Sequence, residues 1–177
     1  RWDHDVDISG TNVAMIGAGA TGFQVAPAIA ATVDRLTIFQ RTAQWMFPNP
    51  DYHKAVGPGM RWALKHLPFY GRWYRFLVFW PGCDTGLVAA IVDPAWPDQQ
   101  RAVSQANDLA RMMFTEWITS QLDGDDELAA KVVPDYPATG KRTLQDNGSW
   151  LRTLRRDNVE LVRGGIDHIE ADAVVDA

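Results

Sequence analysis

Three glycines near the start of the chain have the spacing of a dinucleotide-binding turn. They are Gly17, Gly19 and Gly22, in the pattern GxGxxG. Gly17 allows a tight turn, Gly19 lets a pyrophosphate approach the backbone, and Gly22 lets a helix pack closely on a sheet. A helix that begins here directs free N–H groups and a partial positive charge at the phosphates. The turn therefore predicts the binding of a dinucleotide.

The residues about 20 positions after this turn indicate which dinucleotide is bound. Domains that bind NAD usually have Asp or Glu there, which accepts hydrogen bonds from the ribose hydroxyls. This chain has Gln40, Arg41 and Thr42 instead. An acid would repel a 2′-phosphate, whereas the planar guanidinium of Arg41 can bind one. We therefore expect NADPH to be preferred over NADH, rather than Arg41 being only a solvated strand end.

The glycine turn lies between segments that have the patterns of a strand, a helix and a second strand. The apolar run 13–16 predicts the first strand, the alanine-rich segment 23–31 the helix, and residues 36–42 the second strand. Pro27 lies inside the helix, so we expect this helix to bend or to begin late. The proline-containing run 45–50 predicts a loop, because it cannot continue the strand.

The middle of the chain differs in composition from its two ends. Residues 51–134 are rich in Trp, Phe and Tyr and have helical rather than strand periodicity, which predicts a helical insertion. After the insertion, residues 148–156 predict a short helix and 159–162 a strand, which return the chain to a parallel sheet. The predicted fold class is α/β. It is a Rossmann-like parallel sheet split between residues 11–50 and 135–177.

Size and charge exclude several classes of protein. The 177 residues are 46% hydrophobic and 22% charged, the balance of an ordinary globular domain. The net charge of −5 argues against a general nucleic-acid binder, which needs a basic face. No apolar run approaches the ~20 residues that span a bilayer, so we expect no transmembrane segment.

Cysteine and histidine usage predicts no metal site. Cys83 is the only cysteine, so the chain can form no intrachain disulfide or cysteine-based metal cluster. The four histidines are scattered, without the spacing of metal ligands. The acidic run 123–127 is interpreted as the solvated start of a helix. A reducing, cytoplasmic setting is the simplest expectation.

A second cationic stretch is the turn Gly140, Lys141 and Arg142. It does not fit a phosphate-binding P-loop, because Asp135 stands at the first glycine position and Arg142 where Ser or Thr must bind magnesium. Two adjacent cations are more often a solvated turn than a site, but this turn could bring both of them to an anionic ligand.

The aromatic segment 69–80 has two interpretations. Its basic residues, Arg72 and Arg75, would suit a segment that lies on a membrane surface. Aromatic residues at this density are more often buried against another domain. On the sequence alone, burial against another domain is the interpretation that we favour.

Both ends of the chain carry short motifs that are specific in combination. Near the start, these motifs are Trp2-Asp3, Asp7-Ile8-Ser9-Gly10, 13–22, Gln24-Val25, 39–42, Gln44-Trp45 and Pro48. Later in the chain, they are Val133-Pro134, Tyr136-Pro137, 140–142, Asp146-Asn147 and Asn158-Val159. Together they resemble the NADPH-binding domain of the flavin-dependent Baeyer–Villiger monooxygenases, in particular the branch of hydroxyacetophenone monooxygenase. The resemblance is weak through the insertion, and Ala43 stands where the family commonly has proline.

The resemblance implies that the chain is part of a larger, two-dinucleotide flavoprotein. The family signature FxGxxxHxxxW should end at Trp2-Asp3, so that its Phe, Gly and His would precede Arg1. Residues 1–10 would then be a lead-in from an FAD domain of the same parent protein. Most of the FAD site would lie outside this sequence.

The resemblance also implies an activity, namely an FAD- and NADPH-dependent monooxygenase that inserts one oxygen atom of O2 into a ketone to give an ester or lactone. Two alternatives stay open. One is a related flavin monooxygenase that oxidises nitrogen or sulfur centres, and the other is a nucleotide-binding module without activity by itself. The family signature upstream of Arg1 would favour ketone oxidation.

By position, the resemblance assigns roles to individual residues. The cofactor-binding residues of the turn and helix would be Gly17, Gly19, Ala20, Thr21, Gly22 and Gln24. Arg41 and Thr42 would hold the 2′-phosphate, with Lys141 assisting. Arg142 would be the catalytic arginine, because negative charge on oxygen in a dry site needs a fixed positive charge nearby.

Overall fold

A computed structural model of the chain describes residue 3, residues 5–49 and residues 51–176, and for Pro81 and Thr85 it describes the backbone only. Trp2, at which the family signature is expected to end, lies outside the described residues, as do residues 1, 4, 50 and 177. The strands are β1 (Asn12–Ile16), β2 (Arg35–Gln40), β3 (Met46–Pro48), β4 (Leu144–Asp146), β5 (Val159–Arg163), β6 (Ile166–Ile169) and β7 (Val174–Asp176).

The helices alternate with these strands at both ends of the chain and follow one another in its middle. They are α1 (Ala20–Ile29), α2 (Pro58–His66), α3 (Tyr70–Trp80), α4 (Gly86–Ala90), α5 (Gln105–Thr119), α6 (Asp126–Val132) and α7 (Ser149–Leu154). A π-helical turn, Pro81–Thr85, joins α3 to α4. The predicted α/β class with a helical middle is confirmed.

The main sheet is parallel, and its strands lie in the order β1-β2-β5. Ile38 in the central strand pairs with Met15 on one side and Leu161 on the other. Leu36 and Ile38 are fully buried, and Phe39 on the opposite face is also buried, as expected for a parallel strand that is covered on both faces. Helices α1 and α7 pack together through the stacked rings of Phe23 and Trp150, whose centroids are 5.1 Å apart.

Two local predictions around the first helix and the proline-containing loop are corrected. Of the two alternatives for the first helix, the late start is wrong, because α1 begins at Ala20, and the bend stays a prediction. The helix contains Pro27, which removes one intrahelical N–H donor in its second half. The run predicted as a loop contains strand β3, which pairs in parallel with β4. Pro48 ends this short strand, where its missing N–H is tolerated because the sheet has only two strands.

The helical insertion consists of two parts with different surroundings. In α2, α3 and α4 no described side chain is buried. In contrast, α5 buries Phe114 and Ile118, and α6 buries Leu128 and Val132, all in the same core as the sheet. Trp45 lies at the centre of this core, with its ring 6.1 Å from that of Phe114. The division of the chain into domains stays a prediction.

Candidate nucleotide-binding site

The glycine turn has the conformation that its sequence predicts. Gly17 has φ +99°, a value that other residues rarely adopt. Its N–H donates a hydrogen bond to the carbonyl of Phe39, with N and O 2.9 Å apart, so the turn is fastened to the end of β2. A Cβ at Gly22 would lie 2.2 Å from the carbonyl oxygen of Gly17, so only glycine fits there. At Gly19 a Cβ would meet no atom within 4 Å, which leaves the backbone open to a ligand.

The N-terminus of α1 is suited to an anion. Its cap residue is Gly19, and no side chain caps the helix. The first turn contains no acidic residue. The first N–H groups of a helix have no partner within the helix, and they favour negative charge together with the helix dipole. This ten-residue helix therefore offers backbone donors at Ala20, Thr21 and Gly22 to a pyrophosphate.

Two depressions border the turn, and they differ in character. The larger, about 740 Å³, runs along the outer edge of β1 and is mainly apolar, with Val13, Met15 and Val25 in its lining. It also reaches residues 19–22. The smaller, about 290 Å³, is mainly polar. The smaller cleft and the adjoining turn therefore offer the polar groups that specific recognition of phosphates and sugars needs.

The smaller cleft brings together residues that are far apart in the sequence. Ala20 and Gln24, from the start of α1, line it together with Arg142, from the predicted cationic turn. Within the described part of the chain, Arg142 forms no ion pair with an acid, so its charge is available to a ligand. The structure thus joins the two sites that the sequence suggested separately.

Tyr52 also lines this cleft, and the sequence analysis did not assign it a role. Its position depends on Asn49, whose carbonyl accepts a hydrogen bond from the N–H of Tyr52 and whose amide donates to Gln145 Oε1 at 2.8 Å. The N–H of Asn49 also donates to the carbonyl of Asp146. The pairing of β3 with β4 creates this arrangement. Because β3 was predicted as a loop, no sequence pattern placed Tyr52 near Arg142.

Tyr136 contacts Lys141 and the chain directly after Arg41 and Thr42. The Tyr136 hydroxyl donates to the carbonyl of Ala43 at 2.9 Å, and the Trp45 indole donates to the carbonyl of Tyr136 at 3.0 Å. The Lys141 ammonium lies 4.8 Å from the centre of the Tyr136 ring. These contacts connect the segment of Lys141 to the segment that follows Arg41 and Thr42. Burial raises the pKa of the Tyr136 hydroxyl, so Tyr136 stays neutral near neutral pH.

Hydrogen bonds of Gln40 to α6 and to the residue after β5 hold the end of β2, just before Arg41, in place. Gln40 is buried, and its side-chain amide donates to the carbonyl of Lys131 at 2.9 Å. Its backbone carbonyl accepts a hydrogen bond from Gly164. Arg41 comes directly after this fixed residue and is exposed. In NAD-binding domains the end of this strand usually carries an acid. Here it carries the buried Gln40, followed by the exposed Arg41.

Asn107 positions the cationic turn and was also missed by the sequence analysis. It is fully buried in α5, and its amide donates to the Ala89 carbonyl at 2.7 Å and to Thr139 Oγ1 at 2.9 Å. Thr139 stands two residues before Lys141. Asn107 thus connects α4 to the turn that carries both cations. The only sequence signal was a polar residue on the apolar side of a predicted helix.

Asp146 supports the far end of strand β4. It is buried, and the Trp117 indole donates to its Oδ2 at 3.3 Å. Burial raises the pKa of the Asp146 carboxyl, although hydrogen bonds from the N–H groups of Gly148 and Trp150 and from Trp117 act in the opposite direction. Because β4 begins two residues after Arg142, the contacts of Asp146 help to position that arginine.

Neither a metal site nor a membrane-spanning helix occurs among the described residues. Over residues 3, 5–49 and 51–176, no three Cys, His, Asp or Glu side chains are grouped closely enough to hold a metal ion. In the same ranges, none of the helices combines the length and the apolar character that a membrane crossing requires. Cys83 is exposed and carries a free thiol.

Comparison with known proteins identifies relatives of the whole chain, although no family model matches it. Over 98% of its length the chain is 42% identical to an uncharacterized monooxygenase of Sinorhizobium fredii. Over its full length it is 34% identical to a Baeyer–Villiger monooxygenase of Streptomyces coelicolor. The chain is a relative of the Baeyer–Villiger monooxygenases. It covers only 26% and 31% of the lengths of these two proteins.

A solved structure supports the same relationship. The chain superimposes over 100% of its length on an oxidized steroid monooxygenase bound to NADP, with a TM-score of 0.70 and 28% identity, and covers 38% of that chain. The predicted resemblance and the predicted fold class are thus confirmed. The assignment to the hydroxyacetophenone monooxygenase branch and the roles of individual site residues stay predictions.

Proposed function

We propose that this chain is the NADPH-binding part of an FAD-dependent monooxygenase that inserts one oxygen atom from O2 into a ketone, giving an ester or lactone. The observation that carries the proposal is the polar cleft that Arg142 and the first turn of α1 line together. This cleft occurs in a chain that aligns over its full length with a Baeyer–Villiger monooxygenase.

The glycine turn, the end of β2 and the cationic turn together offer the groups that NADPH needs. The open backbone at Gly19 and the uncapped start of α1 suit the pyrophosphate. Arg41 and Thr42, beyond the end of β2, would bind the 2′-phosphate, and Lys141 would add a second positive charge. Arg41 and Lys141 form no ion pairs within the described residues. No acid in that part of the chain therefore competes with the phosphate for them.

Arg142 would act on the oxygen chemistry. When bound, FAD supplies the activation of O2 in such enzymes, and we expect its site to be formed mainly by the rest of a longer parent protein. The guanidinium of Arg142 can stabilise negative charge that develops on oxygen in the cleft. The lone, reduced Cys83 is compatible with a cytoplasmic location, which we propose together with this function.

The nucleotide preference can be tested by calorimetric titration of the 177-residue chain with NADPH and with NADH. We expect tighter binding of NADPH. Arg41→Ala should weaken NADPH binding by about tenfold to a hundredfold, because charge-assisted hydrogen bonds contribute about 1.5–3 kcal/mol, and should leave NADH binding unchanged. Arg35→Ala is the matched control, since Arg35 lies at the other end of β2 and pairs with Glu160. Equal affinities for the two nucleotides would contradict the assignment of Arg41.

The proposed reaction needs the full-length parent protein. In the full-length protein, Arg142→Ala should still allow NADPH to reduce FAD, but ester formation should fall by about 10²–10³-fold. Product analysis by mass spectrometry distinguishes esters from N-oxides, sulfoxides or no product at all. A normal ester yield from the variant would refute the role of Arg142, and N- or S-oxidation alone would refute the ketone assignment.

A further inference from the structure

Helices α2 and α3 form an aromatic surface that no part of the described chain covers. Neither helix has a buried side chain. Trp62, Trp73 and Trp80 are each more than half exposed. Exposed apolar surface of this extent is unusual in a protein that has no partner for it. We use the term aromatic surface for α2, α3 and Phe69 between them.

The aromatic side chains of α3 form a continuous row. Trp73, Phe76 and Trp80 are spaced three and four residues apart, so they lie on one side of the helix. The ring centroids of Trp73 and Phe76 are 5.5 Å apart, and those of Phe76 and Trp80 are 5.3 Å apart. The row is therefore an ordered apolar stripe on one side of the helix.

The charges of this region all have one sign. Residues 58–80, which contain α2, Phe69 and α3, carry four of the 17 lysines and arginines of the chain and none of its 22 acidic residues. The guanidinium of Arg72 lies 5.9 Å from the centre of the Phe69 ring, and that of Arg75 lies 5.6 Å from the centre of the Phe79 ring. Cations therefore lie among the exposed aromatic side chains of this surface, although the chain as a whole has a net charge of −5.

We propose that the aromatic surface binds the interface of an anionic phospholipid bilayer. Tryptophan rings are stable at the level of the lipid headgroups, and lysine and arginine are attracted to anionic headgroups. Helix α3 has 11 residues and is about 16 Å long, roughly half of the ~30 Å hydrocarbon core, so it would lie in the interface rather than cross it.

The charge pattern favours a bilayer over a protein partner. A protein that covered the stripe would also bury the arginines beside it, so that it would have to supply acids at matching positions. A bilayer surface allows these side chains to extend to the phosphates while the rings enter the apolar layer. The cytoplasmic leaflet is rich in anionic lipids, which is the chemistry that this surface fits.

Flotation of the full-length parent protein with vesicles tests the proposal, because the rest of that protein is then present to cover the aromatic surface if the surface is a domain interface. One set of vesicles contains phosphatidylcholine alone, and the other contains equal parts of phosphatidylcholine and phosphatidylglycerol. We expect binding to the anionic set only, weakened by added salt. Arg72→Gln should reduce it about fivefold, and Trp73→Ala on the order of tenfold. The controls are Arg156→Gln, which makes the same change of charge elsewhere, and Ile169→Ala, which removes another exposed apolar side chain.

Each outcome decides for or against the proposal. Equal binding to both kinds of vesicle, or equal losses in test and control variants, would overturn it. Absence of binding to either kind would also overturn it, and sedimentation velocity would then show whether Trp73→Ala instead abolishes a self-association. Circular dichroism and the NADPH titration are run on every variant, so that unfolding or loss of the nucleotide site is recognised separately.

Discussion

Helices α2–α4 and helices α5–α6 come from the same insertion but have opposite surroundings. The first group has no buried side chain among those described, although it is the richer in Trp, Phe and Tyr. The second group supplies core residues such as Phe114 and Ile118, which pack near Trp45. Aromatic content therefore does not show which part of an insertion is packed. The difference lies in which helix can place its apolar side chains against the sheet.

The largest expected difference is between a tryptophan of the first group and a tryptophan of α7, in the core that the second group joins. Trp150 is almost fully buried and stacks on Phe23, whereas Trp80 is 55% exposed. Trp150→Ala should lower the free energy of unfolding by about 3–5 kcal/mol because it leaves a cavity in the core, and Trp80→Ala should change it by less than about 0.5 kcal/mol. Urea denaturation of both variants measures this. Similar losses would show that α3 is as tightly packed as the core.

A second contrast uses two glycines. Alanine at Gly22 would overlap the carbonyl of Gly17, so Gly22→Ala should cost about 1–3 kcal/mol of stability and weaken NADPH binding. Gly59 lies in α2, where an added Cβ meets nothing within 4 Å. Gly59→Ala should instead raise the free energy of unfolding by up to about 1 kcal/mol, since alanine favours helix. Thermal melts with and without NADPH compare the two. An unchanged free energy of unfolding for Gly22→Ala would contradict the close approach of Gly22 to the carbonyl of Gly17.

A third contrast concerns the junction between the two groups. Asn107 hydrogen-bonds to Ala89 at the exposed side and to Thr139 at the cationic turn. Asn107→Ala removes both hydrogen bonds of a fully buried amide and should cost about 1–3 kcal/mol. Gln105→Ala, an exposed change in the same helix, should cost much less. Urea denaturation and NADPH titration of both variants measure this. If the two variants have equal free energies of unfolding and equal NADPH affinities, Asn107 does not position the cationic turn.

The sequence predicted the part of the fold that depends on local patterns. The glycine turn, β1, α1 and β2 follow from GxGxxG and from the apolar periodicity around it, because Gly17 and Gly22 each meet a steric requirement that other residues do not. The strand β5 followed from its apolar run, which a parallel sheet requires. These features need few residues and little knowledge of the rest of the chain.

The features that the sequence did not predict arise from contacts between distant segments. Strand β3 contains Pro48 and has only three residues, so nothing in its own pattern indicates pairing with β4. The position of Tyr52 beside Arg142 depends on that pairing. In the same way, the buried contacts of Asn107 join three separate segments, which no local pattern can indicate.

The hydrogen bond from the Gly17 N–H to the Phe39 carbonyl has a consequence for ligand length. It fixes the spacing between the turn that would hold the pyrophosphate and the strand end that leads to Arg41. At the proposed NADPH site, the pyrophosphate and the 2′-phosphate of a ligand must therefore be separated by a set distance, so that one reaches the glycine turn and the other reaches Arg41. A fragment such as 2′-AMP can occupy only the Arg41 end, so its affinity measures the contribution of that end alone.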